Sequence, residues 1–176
     1  MEDDNAPETF ITALVRQDEL GAVIRAQIYL EHELLEFLRE RLAEPDALLR
    51  SDVSFARLVR LAVALGLPSE LGKALHAFAR IRNHFAHRLD SKLTEKIVNE
   101  FCNSFTTSMR KEADDRINHI HFLSLGGKST RESLTTRGLF QMYSYCLWFM
   151  LLEHTEAHDR TDNNAVEYGD EHDPEC

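Results

Sequence analysis

The stretch from Ala79 to Arg88 reads A-R-I-R-N-H-F-A-H-R and brings Arg82, Asn83 and His87 close together in the chain. An imidazole titrates near neutral pH, so it can accept a proton from a hydroxyl or donate one to a leaving oxygen. A guanidinium can hold a phosphate through two parallel hydrogen bonds. An asparagine between them could orient the ring. Such a set could act on a phosphate ester, with Arg82 holding the phosphate and His87 moving the proton. The same groups could instead bond one another, or the carbonyls that close a helix, where a histidine is favoured by the helix dipole. On an ideal helix Asn83 and His87 lie about 40° apart, but Arg82 and His87 lie about 140° apart. The pair would share a site only if the arginine wraps, the helix loosens after Phe85, or a second subunit completes the pocket.

A second row runs through the same stretch. His76, Arg80 and His84 follow at four-residue steps, with Arg88 just beyond. At that spacing they share one helical face. The row could bind phosphate groups or an anionic partner, or could be a solvated face. Other suggestive groups fail on spacing. Gly127, Lys128 and Ser129 lack the earlier glycine of a phosphate-binding loop, since Phe122 stands there. His154 and His158 are four apart, but Thr155 occupies the place of a zinc protease's glutamate, and His119 and His121 have no further ligand nearby. Cys102, Cys146 and Cys176 are odd in number and form no CxxC pair, which argues against a disulfide framework or a zinc site. No metal and no cofactor are expected.

The elements that must position these residues are helices. Leu20, Val23, Ile24, Ile28, Leu34, Leu35, Leu38 and Leu42 recur at spacings of three and four, predicting a helix from Asp18 to about Leu42 with that face buried and Glu31, Glu33 and Glu36 mostly on its wet side. Pro45 is read as its end. Ser51 and Asp52 are cap candidates for a helix from about Phe55 to Leu65, stopped by Gly66 and Pro68. Ser69 is expected to cap a third helix that reaches at least His84. A fourth spans Thr94 to about Arg110. Residues 111 to 130 fit a short helical turn or an extended loop equally. A last helix from Arg131 to about Glu153 is apolar almost all round between Leu139 and Leu152, interrupted by Gln141 and Ser144. That run is shorter than the roughly 20 residues of a membrane span, so it is expected in a core or at a subunit contact, with Trp148, Phe149 and Met150 as anchors. The fold class is all-α: a bundle of four to five helices plus short connecting helices.

The R-N-x-F-A-H pattern, following a helix like Leu20 to Leu42 and a helix ending in G-L-P, resembles the mannitol-operon repressor family within the HEPN superfamily. The resemblance covers roughly Leu20 to Phe105. It implies a helical bundle that dimerises and a bacterial transcriptional regulator of a sugar-alcohol operon. In the nuclease members of the superfamily the matching arginine and histidine cut RNA without a metal, which makes a toxin or anti-phage endoribonuclease using Arg82, Asn83 and His87 the alternative. A basic recognition helix of the helix-turn-helix kind is not evident. A regulator built on this chain is therefore expected to act through a protein partner, with RNA as partner under the alternative.

Charge divides the chain into three parts. The formal net charge of -10 sits mainly in residues 1 to 8, with four acids and no base, and in residues 156 to 176, with eight acids and Arg160 alone. The body, read as one domain over residues 9 to 155, holds 18 acidic and 19 basic residues. It has no bulk basic charge of the kind that marks a nucleic-acid-binding domain. The acidic tail is expected to be disordered. With no signal peptide recognised, the expectation is a cytoplasmic protein with reduced thiols.

Overall fold

The computed structural model describes residues 10, 12–14, 17–49, 53–87, 91–125 and 133–166. The chain is all-helical, and no strand occurs among the described residues. Its elements are α1 (Glu19–Arg39), a short α2 (Pro45–Leu49), α3 (Phe55–Ala64), α4 (Ser69–Ala86), α5 (Glu95–Asn103), α6 (Thr107–Leu125) and α7 (Thr136–Val166).

Local chemistry fixes most of the boundaries. Asp18 caps α1 by accepting the Gly21 N–H at 2.7 Å, with Glu19 in the first turn and Arg39 in the last, as the helix dipole favours. Pro45 does not end this helix, which is already over at Arg39. It opens α2 instead, at the first position, where its missing N–H costs nothing. Gly66, at φ +105°, ends α3 in a Schellman turn. The Leu67 N–H reaches the Ala62 carbonyl and the Gly66 N–H that of Val63. Ser54 is the N-cap of α3, while the expected caps Ser51 and Asp52 lie outside the described residues. Pro68 takes the N-cap position of α4, and Ser69 is its first residue.

The stretch expected as one helix from Thr94 to Arg110 is two. Thr94 caps α5 through the Ile97 N–H. The Ser104 hydroxyl then donates back to the Phe101 carbonyl at 2.6 Å, and Thr106 accepts the Met109 N–H at 3.2 Å to start α6. Two hydroxyl residues that bond local backbone outweigh the continuous apolar period. The undecided region beyond Lys111 is helical to Leu125. The final helix starts at Thr136, capped by Thr135, and continues to Val166, into the stretch expected to lack regular structure.

α7 is the axis of the bundle. It packs against α1, α4, α5 and α6, while α3 packs on α4 and α1. Phe78, Phe101, Phe105, Phe140 and Tyr143 fill the space between these helices. The expected anchor Trp148 is buried within the subunit, edge-on to Phe10 at 5.1 Å. Gln141 and Ser144 are buried too. The Gln141 amide donates to the Leu14 carbonyl at 2.6 Å, which is how a polar side chain is tolerated there. No helix among the described residues is long and apolar enough to cross a membrane.

The buried face of α1 departs from expectation. The core takes Ala22, Val23, Ala26, Leu30, Glu33, Leu34, Phe37 and Leu38. Leu20, Ile24 and Ile28, expected inside, are 48%, 47% and 56% exposed, and Glu33, expected mostly wet, is buried. α1 carries two apolar stripes, and only one of them meets α7.

Candidate functional site

α4 places the motif by burying Leu71, Ala74, Leu75, Phe78, Ile81 and Phe85 and turning the polar residues outward. It remains helical through Ala86, so there is no loosening after Phe85, and His87 is its C-cap. The segment that follows is tied back at two points. The Ser91 hydroxyl donates to the His84 carbonyl at 3.0 Å, and the Leu93 N–H donates to the Glu19 carboxylate at 2.7 Å. The end of α4 is thereby fixed to the start of α1.

Arg82 is held across the bundle. Its Nε–H donates to the Gln27 side-chain oxygen at 2.7 Å, and Nη1 donates to the Asn83 oxygen at 3.2 Å. The Gln27 amide nitrogen in turn donates to the Glu31 carboxylate at 3.2 Å, which sets the amide so that its oxygen faces the arginine. These side chains line a groove of about 300 Å³, with Phe55 and Phe78 in its wall. Arg82 and Asn83 are therefore together, as the spacing suggested. His87, exposed at the helix end, does not line the groove. Within one subunit the guanidinium points to α1, while His87 stands exposed at the C-cap position of α4.

The row of cations splits as well. Arg80 and His84 line a second groove of about 160 Å³ between α4 and α5, with Glu100 beside them and Ile97 and Phe101 behind. His76 faces α3. Burial, and then the guanidiniums of Arg60 and Arg80, push its imidazole below the ordinary value. Arg88 lies outside the described residues. Arg60 is the partner that sequence reasoning did not join to this row. Its signal was the packing residue Gly72: a side chain there would meet Val63 Cγ2 at 2.6 Å, and this approach of α4 to α3 brings Arg60 and His76 together.

The apolar ridge on α1 borders the Arg82 groove. On the helical wheel Leu20, Ile24 and Ile28 fall within about 80° of one another, and Gln27 and Glu31 fall in the same sector or at its edge. An exposed apolar row is thus continuous with the polar groups that hold the motif. Away from this region the buried titratable groups read as structural. Cys146 is pushed up to about 12 by burial, which keeps its thiol protonated. Arg116 bonds Glu112 and Glu153 and lies 3.7 Å over the Phe149 ring. Cys102 and Cys146 are buried and form no disulfide, and no cluster of three metal-ligating side chains occurs among the described residues. Against known proteins, no family model matches the chain, and no curated protein or solved structure is significantly similar to it.

Proposed function

We propose that this chain is a bacterial regulator of the mannitol-repressor kind that works through protein contact, and that it pairs with a second copy of itself through α1. The observation that carries the reading is the exposed ridge of Leu20, Ile24 and Ile28 beside the Arg82 groove. Large apolar side chains in a row on a surface mark contact sites more often than chance exposure does. The ridge is self-complementary. With a two-fold axis at Ile24, Leu20 of one subunit meets Ile28 of the partner subunit, because both lie four residues from the centre. Charge agrees with this assignment, since no Lys, Arg, Asp or Glu interrupts the row and Arg25 and Glu31 flank it. Such a pairing buries three apolar side chains and the Gln27–Arg82 bond at once, giving the motif an architectural role. The mass of the purified chain by light scattering tests it. Twice 20.3 kDa is expected for the wild type and 20.3 kDa for Ile24→Glu; a monomeric wild type removes the reading.

The alternative, a metal-independent endoribonuclease, draws on one observation: Arg82 and His87 are both open to solvent. With the arginine held by Gln27, catalysis would need the imidazole of a second subunit. RNA cleavage by purified protein that persists in EDTA and vanishes in His87→Ala would establish it. Intact RNA under those conditions leaves the contact role alone.

A further inference from the structure

The net charge of the chain is -10, yet one face runs strongly the other way. α3 and α4 together carry Arg57, Arg60, Lys73, Arg80 and Arg82, with His76 and His84, against Glu70 as their one acid. Arg82 is bonded to Gln27 on the opposite side. Arg57, Arg60, Lys73 and Arg80 make no ion pair or hydrogen bond to any described residue, while Arg39, Arg41 and Arg116 are all ion-paired. Four cations without a bonded partner are thereby gathered on two adjacent helices, with Glu100 of α5 beside Arg80. Arg57, Arg60, Lys73 and Arg80 are exposed, and His76 is half-buried between the two helices.

The cations form one row on each helix, with Arg80 at the outer end of the α4 row, where it also borders the α5 groove. Lys73, His76 and Arg80 fall within about 60° on α4, and Arg57 and Arg60 within about 60° on α3. The contact of Gly72 with Val63 and Val59 sets the helices close enough for the rows to act together. From Lys73 to Arg80 the row is about 10 Å long at 1.5 Å per residue. A duplex carries a phosphate charge about every 1.7 Å of its axis with both strands counted, so that length spans about six phosphates, of which one side of the duplex presents a part.

We propose that the α3–α4 face binds the phosphate backbone of double-stranded nucleic acid without reading its sequence. A duplex is favoured over a single strand because the cationic rows contain no Phe, Tyr or Trp on which an unpaired base could stack, the half-buried Phe55 lining the Arg82 groove instead. Phe78 and Phe85 are buried and Phe55 packs on the core. Sequence-blind binding follows because contacts to phosphate carry no sequence information and no basic recognition helix of the helix-turn-helix kind is evident to carry these cations to base edges. The inference goes beyond self-pairing and uses none of the ridge residues. A regulator lacking a recognition helix could by this means rest on DNA while a partner supplies the address.

The test is fluorescence anisotropy with the full chain and short labelled probes of scrambled sequence: a DNA duplex, an RNA duplex and a DNA single strand. If about four phosphates are neutralised, raising salt from about 50 to 200 mM is expected to weaken duplex binding about 100-fold. The Arg60→Glu, Arg80→Glu double variant is expected to lose binding by at least about tenfold, while Arg60→Lys with Arg80→Lys keeps it. Arg39→Glu, an ion-paired arginine on another face, is the control and should bind as the wild type does. The two duplex probes separate DNA from RNA as the source of the phosphates. Absence of duplex binding at low salt overturns the proposal. So does equal weakening by Arg39→Glu, or tighter binding of polyglutamate than of duplex, which would make the face a dock for acidic protein. Melting of each variant by circular dichroism, expected near the wild-type temperature at these exposed positions, separates lost binding from lost fold. The monomeric Ile24→Glu chain should still bind, so failure of self-pairing is read independently.

Discussion

The Gln27 side-chain oxygen accepts the Arg82 Nε–H at 2.7 Å across 55 residues of sequence. That bond joins the apolar stripe of α1 to the motif of α4, and it decides where the guanidinium points. A double-mutant cycle on Gln27→Ala and Arg82→Ala, followed by urea unfolding, is expected to give a coupling of about 0.5–1.5 kcal/mol. Strictly additive effects would mean that the two side chains act separately.

The two stripes of α1 should respond in opposite ways to truncation. In the Ile24→Glu background, Ile28→Ala is expected to change stability by no more than about 0.5 kcal/mol. Leu30→Ala, in the core two residues on, should cost about 2–5 kcal/mol. A loss above 2 kcal/mol for Ile28→Ala in the separated subunit would place that side chain in the core.

Gly72→Ala puts a methyl 2.6 Å from Val63 Cγ2. Valine is stiff at χ1 and cannot swing aside cheaply, so the helices must part. The expected cost is about 1–3 kcal/mol, partly recovered by adding Val63→Ala. A neutral or stabilising Gly72→Ala would show that α3 and α4 have room to separate.

Glu33 supplies a pH dependence. Burial raises its carboxyl above the ordinary 4.5, Glu36 and Glu156 add to the rise, and Thr155 and His32 oppose it. The folded chain therefore holds this proton more tightly than the unfolded chain does. The associated stability is present below the unfolded value and is lost as pH rises through the folded one. Glu33→Gln is expected to melt higher than the wild type near neutral pH and to lose this part of the pH profile. An equal or lower melting temperature there would show that the buried carboxylate is well accommodated.

The helical class, the ends of α3 and the extent of α4 were legible because each rests on local chemistry, such as Gly66 after Leu65 or Pro68 before Ser69. The facing of α1 was not. Leu20, Ile24 and Ile28 obey the same three-four spacing as Val23, Leu30 and Leu34, and periodicity does not say which stripe meets α7. Glu33 was placed outside on charge alone, because its neighbour Thr155 is more than a hundred residues away. At the site, Arg82 and Asn83 stayed together because they are adjacent on one helix. The separation of Arg82 from His87 was visible as an angle, but the bond that fixes it comes from Gln27. Arg60 was out of sight for the same reason, since only the packing of α3 on α4 brings it to His76.

α7 touches four other helices and comes last in the chain. While the protein is being made, the preceding segments leave the ribosome with Phe78, Phe101 and Phe105 lacking the wall that covers them. Hydrophobic closure has to wait for Phe140 and Tyr143 to be synthesised, so the nascent chain is a candidate for chaperone capture until α7 emerges. A fragment stopped before Thr136 should accumulate in inclusion bodies.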